Sequence, residues 1–395
     1  MREDGSDMKS VNRRQFLKGA ALAPVVAQKW LGQAGQEAKR RLLFVGTQTV
    51  DGSASKGIYA YRWDPATGDL QSAGLAAASE NPTFLALDPD ARYLYAANEI
   101  SSFEAQASGA VSSFEVDHAS LKLKPINEMR SLGTGTCMVA VDQLGRNLFC
   151  ANYNSGSATS FYLNSDGQIS DPVSHFQYKG HGPNKDRQEG PHAHRVTVSP
   201  DDRYLLVNDL WLDCIHIYHL DNRTAKLTPN NPPQWNATPG SGPRALRFHP
   251  NGHFAYCVCE MASMVEVLRW DAETGTLESV QKISLIPDDY HGIATAAEIV
   301  IDRSGRFAYA SNRGYDCLVS FSFDPKSGKL TMLARGSSGG NTPRHIALDP
   351  TERWLLVANQ DSDNLSVFSR DAKTGLLGQT PKNIPLAKPQ CLVFA

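Results

Sequence analysis

Apolar residues along this chain come as pairs of short runs separated by a polar turn, and the pair recurs. "PTFLALDPDARYLYAANE" from Pro82 is followed by "TCMVAVDQLGRNLFCANY" from Thr136, "AHRVTVSPDDRYLLVNDL" from Ala193 and "PRALRFHPNGHFAYCVCE" from Pro243. Further copies are "AAEIVIDRSGRFAYASNR" from Ala296 and "PRHIALDPTERWLLVANQ" from Pro343. Each copy joins two runs through a turn rich in Asp, Pro, Gly and Arg, which predicts a β-hairpin. The runs are nearly continuous in apolar character, so both faces of each strand are expected to be buried, as in sheets stacked face to face.

A second punctuation follows each copy, as in "DPATGDL" at Asp64, "DAETGTL" at Asp271 and "DPKSGKL" at Asp324, and it occurs once more often than the first. The chain ends explain the difference. "RLLFVGTQ" from Arg41 matches only the second run of a copy, and the terminal "PQCLVFA" from Pro389 only the first. Joined in space they complete a further unit. A repeat of about fifty residues with four strands per copy predicts a β-propeller. The all-β fold expected is a single seven-bladed propeller over 39–395, its ring closed by pairing the C-terminal strand (389–395) with the N-terminal strands (41–80), which leaves no open sheet edge.

In such a ring the start of each first run and the end of each second run share one mouth, and the Asp-rich turns lie on the opposite face. His249 and His253 fall in a turn and are expected to be structural. The second and third residues of the first runs include His194, Arg195, Arg244, Glu298, Arg344 and His345, and the second runs end at Glu99, Tyr153, Glu260 and Arg313 among others. The long connection "KGHGPNKDRQEGPHAH" brings Arg187, Glu189 and His192 to the same mouth. Any one of these charges is explained by a salt bridge at a blade end. Together, several arginines, histidines and glutamates in one sector suggest a site for an anionic, oxygen-rich small molecule.

Composition narrows the classes. The 395 residues are 41% hydrophobic and 20% charged, with 39 basic against 41 acidic residues and a formal charge of −2, which gives no reason to expect nucleic acid. No apolar run approaches the roughly 20 residues that span a bilayer. At the N-terminus, Arg13 and Arg14 followed by Phe16, Leu17, Lys18 and a short apolar stretch resemble a twin-arginine export signal. Residues 1–38 are therefore expected to be a signal segment cut after Ala34 or Ala38, the export machinery a partner, and the protein periplasmic or secreted, a cytoplasmic location being the alternative. The seven cysteines are odd in number, form no CxxC pair and mostly sit inside apolar runs, so no disulfide framework is expected. Cys257 and Cys259 lack the histidine and acid company of a zinc site, and no metal or cofactor is expected.

At "GPNKDRQEGPHAHRVTVSPDDRYLLVNDLWLD", "GPRALRFHPNGHFAYCVCEMASMVEVLRWD" and "TAAEIVIDRSGRFAYASNRGYD" the chain resembles the bacterial lactonase family of seven-bladed propellers, which includes propeller-type 6-phosphogluconolactonase and the fungal carboxy-cis,cis-muconate cyclase. The resemblance runs from Arg41 to Ala395. It implies a monomeric, metal-independent hydrolase of a small anionic or sugar-derived lactone, with His194, Arg244, Glu260 and Arg313 as the catalytic positions. On that reading Glu260 is the base, His194 the proton donor or alternative base, and Arg244 and Arg313 hold the oxyanion and the substrate's acid group. Arg187, Glu189, His192, Glu298, Arg344 and His345 are then expected to bind substrate. Met138, Cys259 and Ala245 depart from the family's usual polar residues and bear on which lactone is taken. A lactonizing enzyme or a non-catalytic binding propeller are the competing readings, because fold alone does not establish function.

Overall fold

The computed structural model describes residues 41–50 and 52–395. They form twenty-eight strands, β1 to β28, in seven four-stranded antiparallel sheets, with no helix among the described residues. The expected signal segment lies outside them. Six sheets are built from consecutive strands. The seventh runs β28 (Pro389–Phe394), β1 (Leu42–Thr47), β2 (Gly57–Asp64), β3 (Asp69–Ala78), the split unit anticipated from the two chain ends. Leu43 pairs with Phe394 and Val45 with Leu392, while the backbones of Leu42 and Ala395 exchange hydrogen bonds.

The first strands of the sheets, β4 (Pro82–Leu87), β8 (Thr136–Val141), β12 (Ala193–Val198), β16 (Pro243–Phe248), β20 (Thr295–Ile301), β24 (Pro343–Leu348) and β28, touch one another in a closed cycle around the axis. The chain is thus a seven-bladed β-propeller.

The recurring Asp of the first turn has a physical role. Asp88 Oδ1 accepts the amide of Tyr93 at 2.7 Å, Asp142 that of Asn147 at 3.2 Å, Asp302 that of Phe307 at 3.0 Å and Asp349 that of Trp354 at 2.9 Å. One carboxylate therefore closes each of these four hairpins on a donor the ladder leaves free, and Ser199 Oγ does the same for Tyr204 at 2.9 Å. Three residues after it the chain turns left-handed. Gly145, Gly252 and Gly305 occupy that place in three copies, and Ala91, Asp202 and Glu352 take it at φ of 54–57° in the others.

Burial departs from expectation in one respect. The returning strands are buried apart from single half-exposed ends at Tyr93, Arg313 and Trp354, as in "FAYCVC" of Phe254–Cys259, but each first strand from β4 to β24 ends in two half-exposed residues. Their apolar members, such as Val198, Phe248 and Ile301, still pack on the cores between sheets.

Candidate active site

Each innermost strand carries a β-bulge at the mouth. The register against its partner skips between Ala193 and Arg195, Pro243 and Ala245, and Pro343 and His345, and equivalently in the other blades. An extra residue in one strand re-aims its side chain. His194, Arg244 and Arg344 are those extra residues, which places them in the mouth while Arg195, Glu298 and His345 turn into the channel below.

The upper tier centres on Glu260, at the end of a returning strand. Its Oε1 accepts Arg187 Nη2 at 3.1 Å; its Oε2 lies 2.6 Å from Arg313 Nη2 and 3.0 Å from Arg244 Nε. Arg244 also donates to the carbonyl of Ala297 on the next blade. Burial alone would raise the Glu260 carboxyl, but Arg313, Arg244 and Arg187 outweigh it and hold the group below the ordinary carboxylate range. Arg344 lies 3.7 Å from Glu99, whose Oε2 accepts Thr83 Oγ1 at 2.6 Å. Four arginines thus face two glutamates, a surplus of positive charge at the mouth.

His194 stands beside this cluster, edge-on to Tyr153 with ring centroids 5.7 Å apart. Its buried Nδ1 has no hydrogen-bond partner. Burial, then the charges of Arg244, Arg344, Arg313 and Arg195, hold its imidazole well below the ordinary histidine value, so it is neutral at neutral pH.

The connection before β12 is pinned by a residue the sequence analysis did not single out. Gln188 Nε2 donates to Asp213 Oδ2 at 2.7 Å, and Asp213 also takes the amides of Gly240 and Gly242. With Gln188 buried, Arg187 reaches Glu260 and Glu189 is left exposed, outside the cluster. His192, its amide held by Asp209 Oδ1 at 2.9 Å, packs on Trp211 and Tyr153 with centroids 3.5 and 4.4 Å apart. These rings wall the mouth next to His194.

Glu298 and His345 form a separate, deeper tier. Glu298 Oε2 meets Arg195 Nη1 at 2.6 Å and lies 3.8 Å from His345 Nε2; its Oε1 lies 3.5 Å from Arg247 Nε and accepts the amide of Ile299. Arg195 and Glu298 come from blades that are not neighbours, and the intervening strand carries only Ala245 at the corresponding third position. Burial opposes ionisation of Glu298, yet Arg195, Arg247 and His345 bring it down to about 2, while burial lowers His345 to about 3. Arg247 escaped the sequence reading, although its place two residues beyond the channel-facing third position was available as a signal.

The expected far-face role of His249 fits its hydrogen bond to Gly305 O at 2.9 Å within the turns. All seven cysteines are free and buried. Among the described residues no group of three or more His, Cys, Asp or Glu side chains is arranged to hold a metal, and no helix is long and apolar enough to cross a membrane.

A closed propeller whose one mouth gathers guanidinium, carboxylate and neutral imidazole matches the family described as "Lactonase, 7-bladed beta-propeller" over residues 42–394, and the chain belongs to that family. It is 34% identical over 301 residues to a 6-phosphogluconolactonase of Bacillus subtilis (strain 168), covering 76% of this chain and 83% of that protein. A 6-phosphogluconolactonase of Formosa agariphila is 31% identical over 307 residues, covering 77% and 85%. Among solved structures, a periplasmic gluconolactonase of Pseudomonas aeruginosa superposes with a TM-score of 0.83 at 33% identity, covering 89% of this chain and 98% of that one.

Proposed function

We propose that this chain hydrolyses a small, anionic or sugar-derived lactone of the kind its relatives are named for, at the mouth built on Glu260, Arg244, Arg313 and His194. The observation that carries the reading is a neutral imidazole with an unpartnered Nδ1 beside a carboxylate-anchored cluster of guanidinium groups. Ester hydrolysis needs a base for water, donors for the tetrahedral oxyanion and a proton for the departing ring oxygen. Glu260 is a poor base here, since guanidinium groups engage both its oxygens. His194 is better placed to take the water proton and return it to the leaving alkoxide. Glu260 then fixes Arg244 and Arg313, whose remaining N–H groups face the oxyanion. Arg187, Arg344 and His192 surround the body of the substrate, and Tyr153 and Trp211 offer ring faces to it.

No step calls for a metal or cofactor. Export is supported by Arg13 and Arg14 and by the periplasmic relative; phosphorylated sugar lactones are cytoplasmic compounds, so an exported enzyme would take another lactone.

The test is hydrolysis of 6-phosphogluconolactone, gluconolactone and a muconolactone by the full chain, with and without chelator, beside His194→Gln. Chelator-resistant turnover that drops by about 10²-fold or more in the variant is expected. Absence of turnover with every lactone, from a folded protein, would replace this reading by a binding propeller.

A further inference from the structure

Below the mouth the channel narrows to a ring made by the fifth residue of each innermost strand. That residue is alanine or valine in five blades, Thr197 in a sixth and Arg247 in the seventh. All seven are half-exposed, whereas the fourth residues beside them are buried. Arg247 is the single charge in it. Its side chain is 39% exposed, and its Nε lies 3.5 Å from Glu298. Arg195 enters the same space from another blade. It is 3% exposed, one nitrogen is bound to Glu298, and its Nε and Nη2 have no partner. Phe84 lies 5.5 Å from its guanidinium and offers no acceptor.

The charges do not balance. Glu298 answers one arginine, His345 is neutral, and the second arginine leaves a net positive charge shared between buried Arg195 and half-exposed Arg247. The buried guanidinium of Arg195, with two nitrogens unpartnered, is disfavoured unless an acceptor reaches it. Guanidinium groups with free N–H donors suit the geometry of phosphate and carboxylate. We propose that the waist of the channel is an oxyanion-binding site built on Arg247 and Arg195, beneath the Glu260 mouth and separate from it, and that its occupant is a phosphate or carboxylate group. Second to fifth position is about 10 Å of strand, the reach of a small sugar acid, so the oxyanion arrives either as a free ion or as the far end of a lactone held at the mouth.

The probe is orthophosphate. Calorimetric titration of the full chain in a buffer free of other oxyanions should show saturable binding with a component that depends on Arg247, distinct from any binding at the mouth arginines. Arg247→Met, which keeps the aliphatic stem and leaves Glu298 paired with Arg195, should weaken it by about tenfold or more at an unchanged melting temperature, and Arg247→Lys should restore most of the loss. Wild-type protein without saturable binding, or equal affinity in Arg247→Met, overturns the proposal. A second arm, resting on the lactonase reading, separates the two sources. A KM raised about tenfold for 6-phosphogluconolactone and unchanged for gluconolactone in Arg247→Met identifies the substrate's own phosphate. Phosphate binding lost with both KM values unchanged identifies a free ion. If no lactone is hydrolysed the lactonase reading fails, while the titration still decides the anion site.

Discussion

Glu260 and Glu298 are two buried carboxylates, each held by arginines recruited from more than one part of the chain, yet they sit in different surroundings. Glu298 is 1% exposed and its closest arginine 3% exposed. Around Glu260, Arg187 is 42% exposed and Arg313 15%. The Arg195–Glu298 pair is closed and joins non-neighbouring blades, with only Arg247 at its edge exposed, whereas around Glu260 both Arg187 and Arg313 reach solvent. A closed cluster is worth most as structure, because removing one partner strands a charge. An open one can exchange a partner for a ligand at small expense, and that distinguishes a site from a strut.

The largest effect that would break this contrast is on stability. Glu298→Gln should lower the unfolding free energy by about 3–5 kcal/mol, since Arg195 loses its only hydrogen-bond partner. Denaturant unfolding measures it, and a loss no greater than that of Glu260→Gln would erase the distinction. Glu260→Gln should cost about 1–2 kcal/mol of stability but about 10²-fold in turnover, through arginines no longer held in register.

Acid separates the tiers next. His194 and His345 are neutral in the fold with lowered pKa values, so the unfolded chain binds more protons below its ordinary histidine value of about 6.5. Stability is therefore complete above that pH and declines as pH falls toward the folded values, by at most about 2.7 kcal/mol per pH unit for the pair. Asp209, raised to about 6 by burial, works in the opposite direction below that pH and offsets part of the loss. Glu298, depressed to about 2, adds a second decline once pH drops below about 4.5. Melting temperature against pH checks this, and a flat profile from pH 6.5 to 4 would contradict the assigned neutral histidines. Turnover should fall over the acid limb as His194 protonates.

The smallest effects belong to the open rim. Arg187→Met should change KM by a few-fold, within about 1 kcal/mol, with little change in melting temperature. Glu189→Gln should alter neither KM nor stability by more than about 0.5 kcal/mol, because its side chain stands outside the cluster.

Much of this was legible in the residues. The alternation of apolar runs with Asp-rich turns, and the half-copies at the two ends, carry blade number and closure. The mouth sector containing His194, Arg244, Glu260 and Arg313 follows from placing the same two positions of every copy on one face, and Arg187 from the long connection that opens there. Glu189 did not follow, because whether a loop residue points in or out depends on Gln188 being tied to Asp213 across the fold. Nor did the separation of Glu298 and His345 from Glu260, since a bulge adds a residue without any mark in composition.

What the sequence determined by itself is periodic: hairpin, blade, ring and the family the chain joins, all consequences of hydrophobic patterning and turn chemistry that act over a few residues. What only the tertiary structure decided is which charges meet. Arg195 reaches Glu298 from a non-neighbouring blade, Arg187 reaches Glu260 from a long connection, and Arg247 is left 39% exposed beside Glu298. Those encounters depend on bulge geometry and on distances across the axis, between residues far apart in the chain, where no local preference speaks.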